Sequence, residues 1–240
     1  MASPYLRKEL DLTDQIKNGI FRGQQNDATP RALSLPFSSG ALDQDCSVVC
    51  SQRPNPGGGC GRRSNNRYVV KDDAGNKVLD ICEENEWCTR QCCGPARSFI
   101  MSVMNNSNHE VIRLVRPYVC NCCQNELEVQ SPPGIAIGNV RQNWHFCRAK
   151  FTVENEQGQP VFKIVGPTCT CCTDENFELM SLNGAVIDRS VGKIFKPFTY
   201  SGPNAAADFV LKFPSRLEVK LKAVILGACI LIDCMYYEKK

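Results

Sequence analysis

The sequence predicts a protein dominated by β-structure, an antiparallel β-barrel closed around a buried hydrophobic helix at the C-terminus. Two observations carry this expectation. From residue 65 onward, short runs rich in Val, Ile, Phe and Leu recur in pairs, and Gly, Asn or Pro falls between the members of each pair. A ten-residue run, Ala223–Ile232, then follows without a charge or a strongly hydrogen-bonding side chain. A sheet rolled around such a helix removes its own edges and the helix's exposure together. The 240 residues are enough for one or two domains and a sizeable core.

Residues 1–64 read as a poorly ordered region. Thr13–Asn18 suits a short helical turn ended by Gly19. Polar residues, scattered prolines and the Gly-rich NPGGGCGRR at 55–63 follow, a composition that buries little apolar surface. Cys46, Cys50 and Cys60 suggest a metal knuckle, but no His or fourth cysteine completes it.

Residues 65–240 form the second region. RYVV and KVLDI flank the turn DDAGN, and SFIMSVM and EVIRLV flank NNSNH. ELEVQ and IAIGNV flank SPPG, FTVEN and VFKIV flank EQGQP, and FELMS and AVIDRSVGKI flank LNG. Each unit takes about 25–30 residues, a weak internal repeat of hairpins. DFVLKF at 208–213 adds one more strand. Hairpins at regular spacing suggest a barrel or sandwich.

The helix is expected over 217–237. Its apolar run is Ala223, Val224, Ile225, Leu226, Gly227, Ala228, Cys229, Ile230, Leu231 and Ile232, with Asp233 after it. A helix with no polar face must be buried, in protein or in lipid. Ala223–Tyr237 spans roughly 22 Å at about 1.5 Å per residue, and a bilayer core needs roughly 30 Å. Length therefore favours a helix wrapped by protein over a tail that enters a membrane. Asp233 needs a partner in either setting.

Charge and cysteine content limit the function classes. A net charge of +3, with Lys and Arg dispersed, does not argue for nucleic acid. Two histidines, His109 and His145, are too few for an obvious His-based site. No nucleophile–base pair, P-loop or dinucleotide fingerprint is visible, so an enzyme is not expected. The opening MASPYLRKELDLTDQ has no apolar core for a secretory signal, which points to the reducing cytosol. Ala2 excludes N-myristoylation. Many of the sixteen cysteines cluster between hairpins: Cys88, Cys92 and Cys93; Cys120, Cys122 and Cys123; Cys169, Cys171 and Cys172. Adjacent cysteines on a strand point to opposite faces and chelate one ion poorly, so no metal site is assigned. Structural thiols and S-acylation both remain open for them.

Three segments resemble the phospholipid scramblase family: CTRQCCGPAR at 88–97, ELEVQSPPGIAIGNVRQNWHFC at 126–147 and KLKAVILGACILIDCMYYE at 220–238. The resemblance runs from about Asn65 to Glu238 in the family's order. It implies a twelve-stranded barrel around a C-terminal helix. It also implies ATP-independent, Ca²⁺-activated movement of phospholipids between leaflets, by a protein on the cytoplasmic side of the plasma membrane. Membrane phospholipids are the implied partners, with protein partners besides, and the family has signalling and gene-regulatory roles. Cys120, Cys122 and Cys123 match the family's acylated cluster, shortened here to CNCC. GKIFKPF at 192–198 overlaps a nuclear-import-like segment, which leaves room for a nuclear pool.

Several departures stand against that pattern. Where the family has an acidic Ca²⁺ loop, residues 205–216 read AAADFVLKFPSR. Asp208 is the only carboxylate, and Ala205, Ala207 and Arg216 stand where acids are expected. Ca²⁺ takes about six to eight oxygens, so calcium dependence is in question. The family's Pro-rich tail is missing. No opening strands are recognisable before Asn65, which leaves closure of the barrel open. A barrel module that is acyl-anchored and binds lipid or protein without moving lipid is the alternative function.

Overall fold

The computed structural model describes residues 45–53, 65–84, 93, 96–118, 125–167, 175–182, 190–197, 208–214 and 217–238. Twelve antiparallel strands close into one barrel. In chain order they are β1 (Asp45–Arg53), β2 (Arg67–Lys71), β3 (Lys77–Glu84), β4 (Phe99–Asn105), β5 (Glu110–Arg116) and β6 (Glu126–Gln130). The rest are β7 (Ala136–Asn143), β8 (Lys150–Asn155), β9 (Pro160–Val165), β10 (Glu175–Ser181), β11 (Ser190–Lys196) and β12 (Asp208–Pro214). Neighbours in sequence are neighbours in the sheet, and β1 seals the ring by pairing with both β2 and β12.

That seal corrects the sequence reading on one point. The barrel is complete, and its closing strand lies within the stretch read as poorly ordered. Val48 and Cys50 are buried, opposite Leu211 and Phe209 of β12. The strand carries its inward alternation partly on cysteine, which behaves as a small hydrophobe. One other boundary moves. The second strand of the fifth hairpin, expected at 185–194, runs on to Lys196 as β11, Ser190–Lys196, and residues 185–189 lie outside the described residues.

Three hairpins close with the same turn. Asp72, Asn105 and Asn155 each accept a hydrogen bond at the side-chain oxygen from the backbone N–H four residues on, at 2.8, 2.9 and 2.9 Å. Three residues after each stands Gly75, Asn108 or Gly158, at φ +82°, +59° and +73°. These are the residue types that tolerate the left-handed region. The internal repeat is therefore a repeat of turn chemistry as well as of strand pattern.

Along the strands, apolar residues face in and charged ones face out. β12 alternates with Phe209, Leu211 and Phe213 buried, and β6 with Leu127 and Val129 buried between Glu126, Glu128 and Gln130. A wall that is apolar inside and charged outside is the reverse of a membrane-spanning barrel, whose outer band is apolar. The lumen needs a filling. With strands about 4.8 Å apart and tilted by about 40°, twelve of them leave roughly 12 Å between axis and wall. A helix of about 10 Å diameter, side chains included, leaves about 7 Å to that wall, which the inward strand side chains fill.

Helix α1 (Val219–Ile232) is that filling, and Leu221–Ile232 are buried without a break. Two glycines let it approach. A Cβ on Gly138 of β7 would lie 2.7 Å from Val224 Cγ2 and 2.5 Å from the Glu154 carbonyl oxygen. Gly227 on α1 meets Val129, Leu127 and Leu114 in the same way. The helix ends in a π-helical turn, Asp233–Tyr237, where Glu238 N–H donates to the Asp233 carbonyl at 2.9 Å. Among the described residues, no helix is long and apolar enough to cross a membrane.

Candidate functional site

Antiparallel order gives the barrel two unlike ends. One carries the tight turns at 72–76, 105–109 and 155–159, and α1 enters there, with Lys220 Nζ 2.7 Å from Glu156 Oε2. At the other end the chain connects β3 to β4, β5 to β6, β7 to β8, β9 to β10 and β11 to β12, and α1 finishes there. The polar chemistry of the lumen collects at this second, loop end.

Asp233 stands at the foot of the helix and is 1% exposed. Tyr68 of β2 donates its hydroxyl to Asp233 Oδ2 at 2.7 Å, while Oδ1 has no hydrogen-bond partner. Burial pushes this carboxyl up to about 6, although the Tyr68 hydrogen bond and Lys196 pull the other way. Its neighbours follow the same physics. Burial raises the thiol of Cys234 and, with it, the phenol of Tyr68, both kept neutral beside the acid.

A second, charged layer lies beyond. Arg97 is 1% exposed, donates from Nε to Glu83 Oε1 at 2.9 Å and from Nη1 to Glu238 Oε2 at 2.6 Å. Burial alone would lower its pKa, but the hydrogen bonds and charge of Glu83 outweigh this and raise it. Glu83 Oε2 also accepts from Asn66 N–H at 3.0 Å. Arg97 and Arg116 bracket the Phe99 ring, 5.9 and 5.7 Å from its centroid. Arg116 Nη2 donates to Asn125 Oδ1 at 2.5 Å, Asn125 Nδ2 to Gln142 Oε1 at 2.5 Å, and Gln142 Nε2 to Tyr236 Oη at 3.2 Å. Five strands and the residues after the helix are thus tied together. Cations here also suit the negative pole of a helix C-terminus. The arrangement pins the last turn of α1 and raises one buried acid to about 6.

The helix residues named from the sequence, Ala223 through Asp233, all lie in the lumen. Asp208 begins β12 at the loop end, is exposed, and has Ser51 as its cross-strand partner. Among the described residues no group of three or more His, Cys, Asp or Glu side chains is gathered for a metal ion. Residues 205–207 and 215–216 lie outside the described residues, as do Cys46's side chain, Cys60, Cys88, Cys92, Cys169, Cys171 and Cys172. The expected acylation residues Cys120, Cys122 and Cys123 lie outside them too. The described residues on either side of these cysteines, Tyr118 and Asn125, both stand at the loop end. GKIFKP, 192–197, runs along β11, where Lys196 lies over the Tyr237 ring at 4.4 Å. Sequence reading missed Tyr68, Glu83, Arg97 and Glu238, whose partners are up to 165 residues away.

A closed antiparallel barrel with charges outside and an apolar helix threaded through it defines a class in which the helix is part of the core. The comparisons carry this to a family. The Scramblase family profile matches residues 60–239. Human phospholipid scramblase 1 is 44% identical over 188 residues, covering 74% of this chain and 58% of that protein. Phospholipid scramblase 2 of Bos taurus is 43% identical over 188 residues, covering 74% of this chain and 63% of that protein. Human phospholipid scramblase family member 5 is 34% identical over 214 residues, covering 86% and 79%. The chain belongs to the scramblase family. It spans less than two thirds of the length of the scramblase 1 and 2 relatives.

Proposed function

We propose that the protein works at a membrane and passes phospholipids between leaflets in both directions without ATP. The family match over 60–239 carries this reading. Lipid movement of this kind requires no covalent step, in keeping with a loop-end cluster built of ion pairs and neutral hydrogen bonds. Its place is the cytoplasmic side of the plasma membrane, held there by S-acylation at Cys120, Cys122 and Cys123. Calcium contributes little. One carboxylate, Asp208, in a stretch that otherwise offers Ala205, Ala207 and Arg216, puts affinity at roughly the millimolar level or weaker. A fluorescent-lipid flip assay on reconstituted liposomes, with and without Ca²⁺, tests both parts. The expected result is flipping above the lipid-only rate that micromolar Ca²⁺ leaves unchanged. No flipping under either condition refutes the first part, and a micromolar Ca²⁺ response refutes the second.

One observation favours a second reading. The apolar helix is enclosed by the wall, and among the described residues the lumen offers a phospholipid headgroup no polar path from end to end. A barrel that binds lipid or protein at the membrane without moving lipid accounts for that enclosure. It predicts vesicle binding without flipping in the same assay.

A further inference from the structure

We infer that the β7–β8 loop, residues 144–149, is a wedge that inserts into an anionic lipid surface, with Trp144 and Phe146 as the buried anchors. Among the described residues, no contact gives these two side chains a structural duty. Trp144 is 74% and Phe146 88% exposed. The loop is shaped at its tip, since Cys147 N–H donates to His145 Nδ1 at 3.2 Å across Phe146. The location is not random either. Of the six large hydrophobic residues left exposed among the described ones, Ile100, Tyr118, Trp144, Phe146 and Tyr236 sit at or near the loop end. Only Ile135 sits at the turn end. Tyr236 is linked to this hairpin through Gln142, two residues before Trp144.

Charge selects the occupant. The loop and its flanks, NWHFCRAK at 143–150, hold Arg148 and Lys150 and no acid. Neither cation forms an ion pair with a described residue, whereas Arg141, further down β7, is paired with Glu126 and Glu154. Aromatic rings at the tip with unpaired cations at their base match the boundary between acyl chains and anionic headgroups. Docked this way, the barrel stands on its loop end, the end at which α1 terminates.

This inference deepens the membrane reading and rests on it, but its test reads binding alone, so it stands or falls separately from lipid movement. Trp87→Phe leaves Trp144 as the sole tryptophan of the chain. With vesicles of phosphatidylcholine and phosphatidylserine, Trp144 emission should shift to the blue and be quenched by brominated acyl chains. Phe146→Ser should weaken vesicle binding roughly tenfold or more, and Arg148→Gln/Lys150→Gln roughly fivefold for each charge, the latter effect shrinking in high salt. Both sites are exposed, so circular dichroism should show these variants folded. Bound vesicles that leave Trp144 emission unshifted and unquenched overturn the proposal. So does a folded Phe146→Ser variant that binds as tightly as the parent, an outcome that assigns the rings to a protein partner.

Discussion

Arg97→Met removes the cation that ties strand β3 to the residues after the helix. Glu83, whose side chain is fully buried, then loses its guanidinium partner while the Asn66 N–H stays in place. Breaking a buried pair from one side costs about 3–5 kcal/mol, because the remaining charge is stranded. The surviving backbone hydrogen bond places this case near the lower end, about 3 kcal/mol. Glu238, with its side chain 12% exposed, can turn to water and adds little. In a chain of this size each kcal/mol moves the melting temperature by about 2–4 °C, so a drop of roughly 10 °C is expected. Glu83→Gln in the same background removes that buried charge and should recover more than half of the loss. Urea unfolding of the parent, the single variant and the double variant measures all three. An Arg97→Met protein within about 1 kcal/mol of the parent, or a double variant no more stable than the single, would refute the reasoning.

Asp233→Asn probes the raised carboxyl. Its folded pKa of about 6 lies above the ordinary 3.8, so the folded state holds the proton more tightly and the parent loses stability as pH rises through about 6. That gap corresponds to roughly 3 kcal/mol. The variant should melt higher than the parent at pH 8 and level with it below about pH 4; an equal difference at both pH values sinks the idea. Gly138→Ala should cost about 2 kcal/mol by overpacking, and Val224→Ala should restore only part, because the Glu154 carbonyl still blocks the new methyl; complete rescue in a melt contradicts this. Serine at Cys120, Cys122 and Cys123 together should move the protein from membrane to soluble fractions and abolish hydroxylamine-sensitive lipid. An unchanged distribution counts against acylation there.

The hairpins were legible because period-two alternation and turn chemistry are local. The helix was legible because ten residues without a polar face leave it no solvent-facing solution. Strand β1 was not. Its alternation runs through Cys46, Val48 and Cys50 among serines, and a Gly-rich stretch follows, so composition hid it. Only the partner strand β12 makes the pattern meaningful, and that pairing joins Ser51 to Asp208 across most of the chain. The loop-end cluster was hidden for the same reason. Asp233 was flagged as needing a partner, yet nothing near it in sequence names Tyr68. Arg97 closes a segment used for the family resemblance, but its value comes from Glu83 and Glu238, brought to it by barrel closure. Trp144 and Phe146 lie in a segment used for the family resemblance, and nothing near them in sequence tells that the fold leaves them exposed.

The position of β1 has a consequence for how the molecule is made. During synthesis β1 emerges first among the described elements but has only β2 to pair with until β12 appears. The helix emerges after both. The strands of an apolar channel are therefore synthesised before its occupant exists, and neither the ring nor the rod has a stable resting place alone. Native structure must be reached late, in one concerted event with high contact order, and slowly. Until then the inward faces of twelve strands are aggregation surfaces. A truncation before residue 217 should leave the cell with an open, sticky cage rather than a smaller version of the same protein.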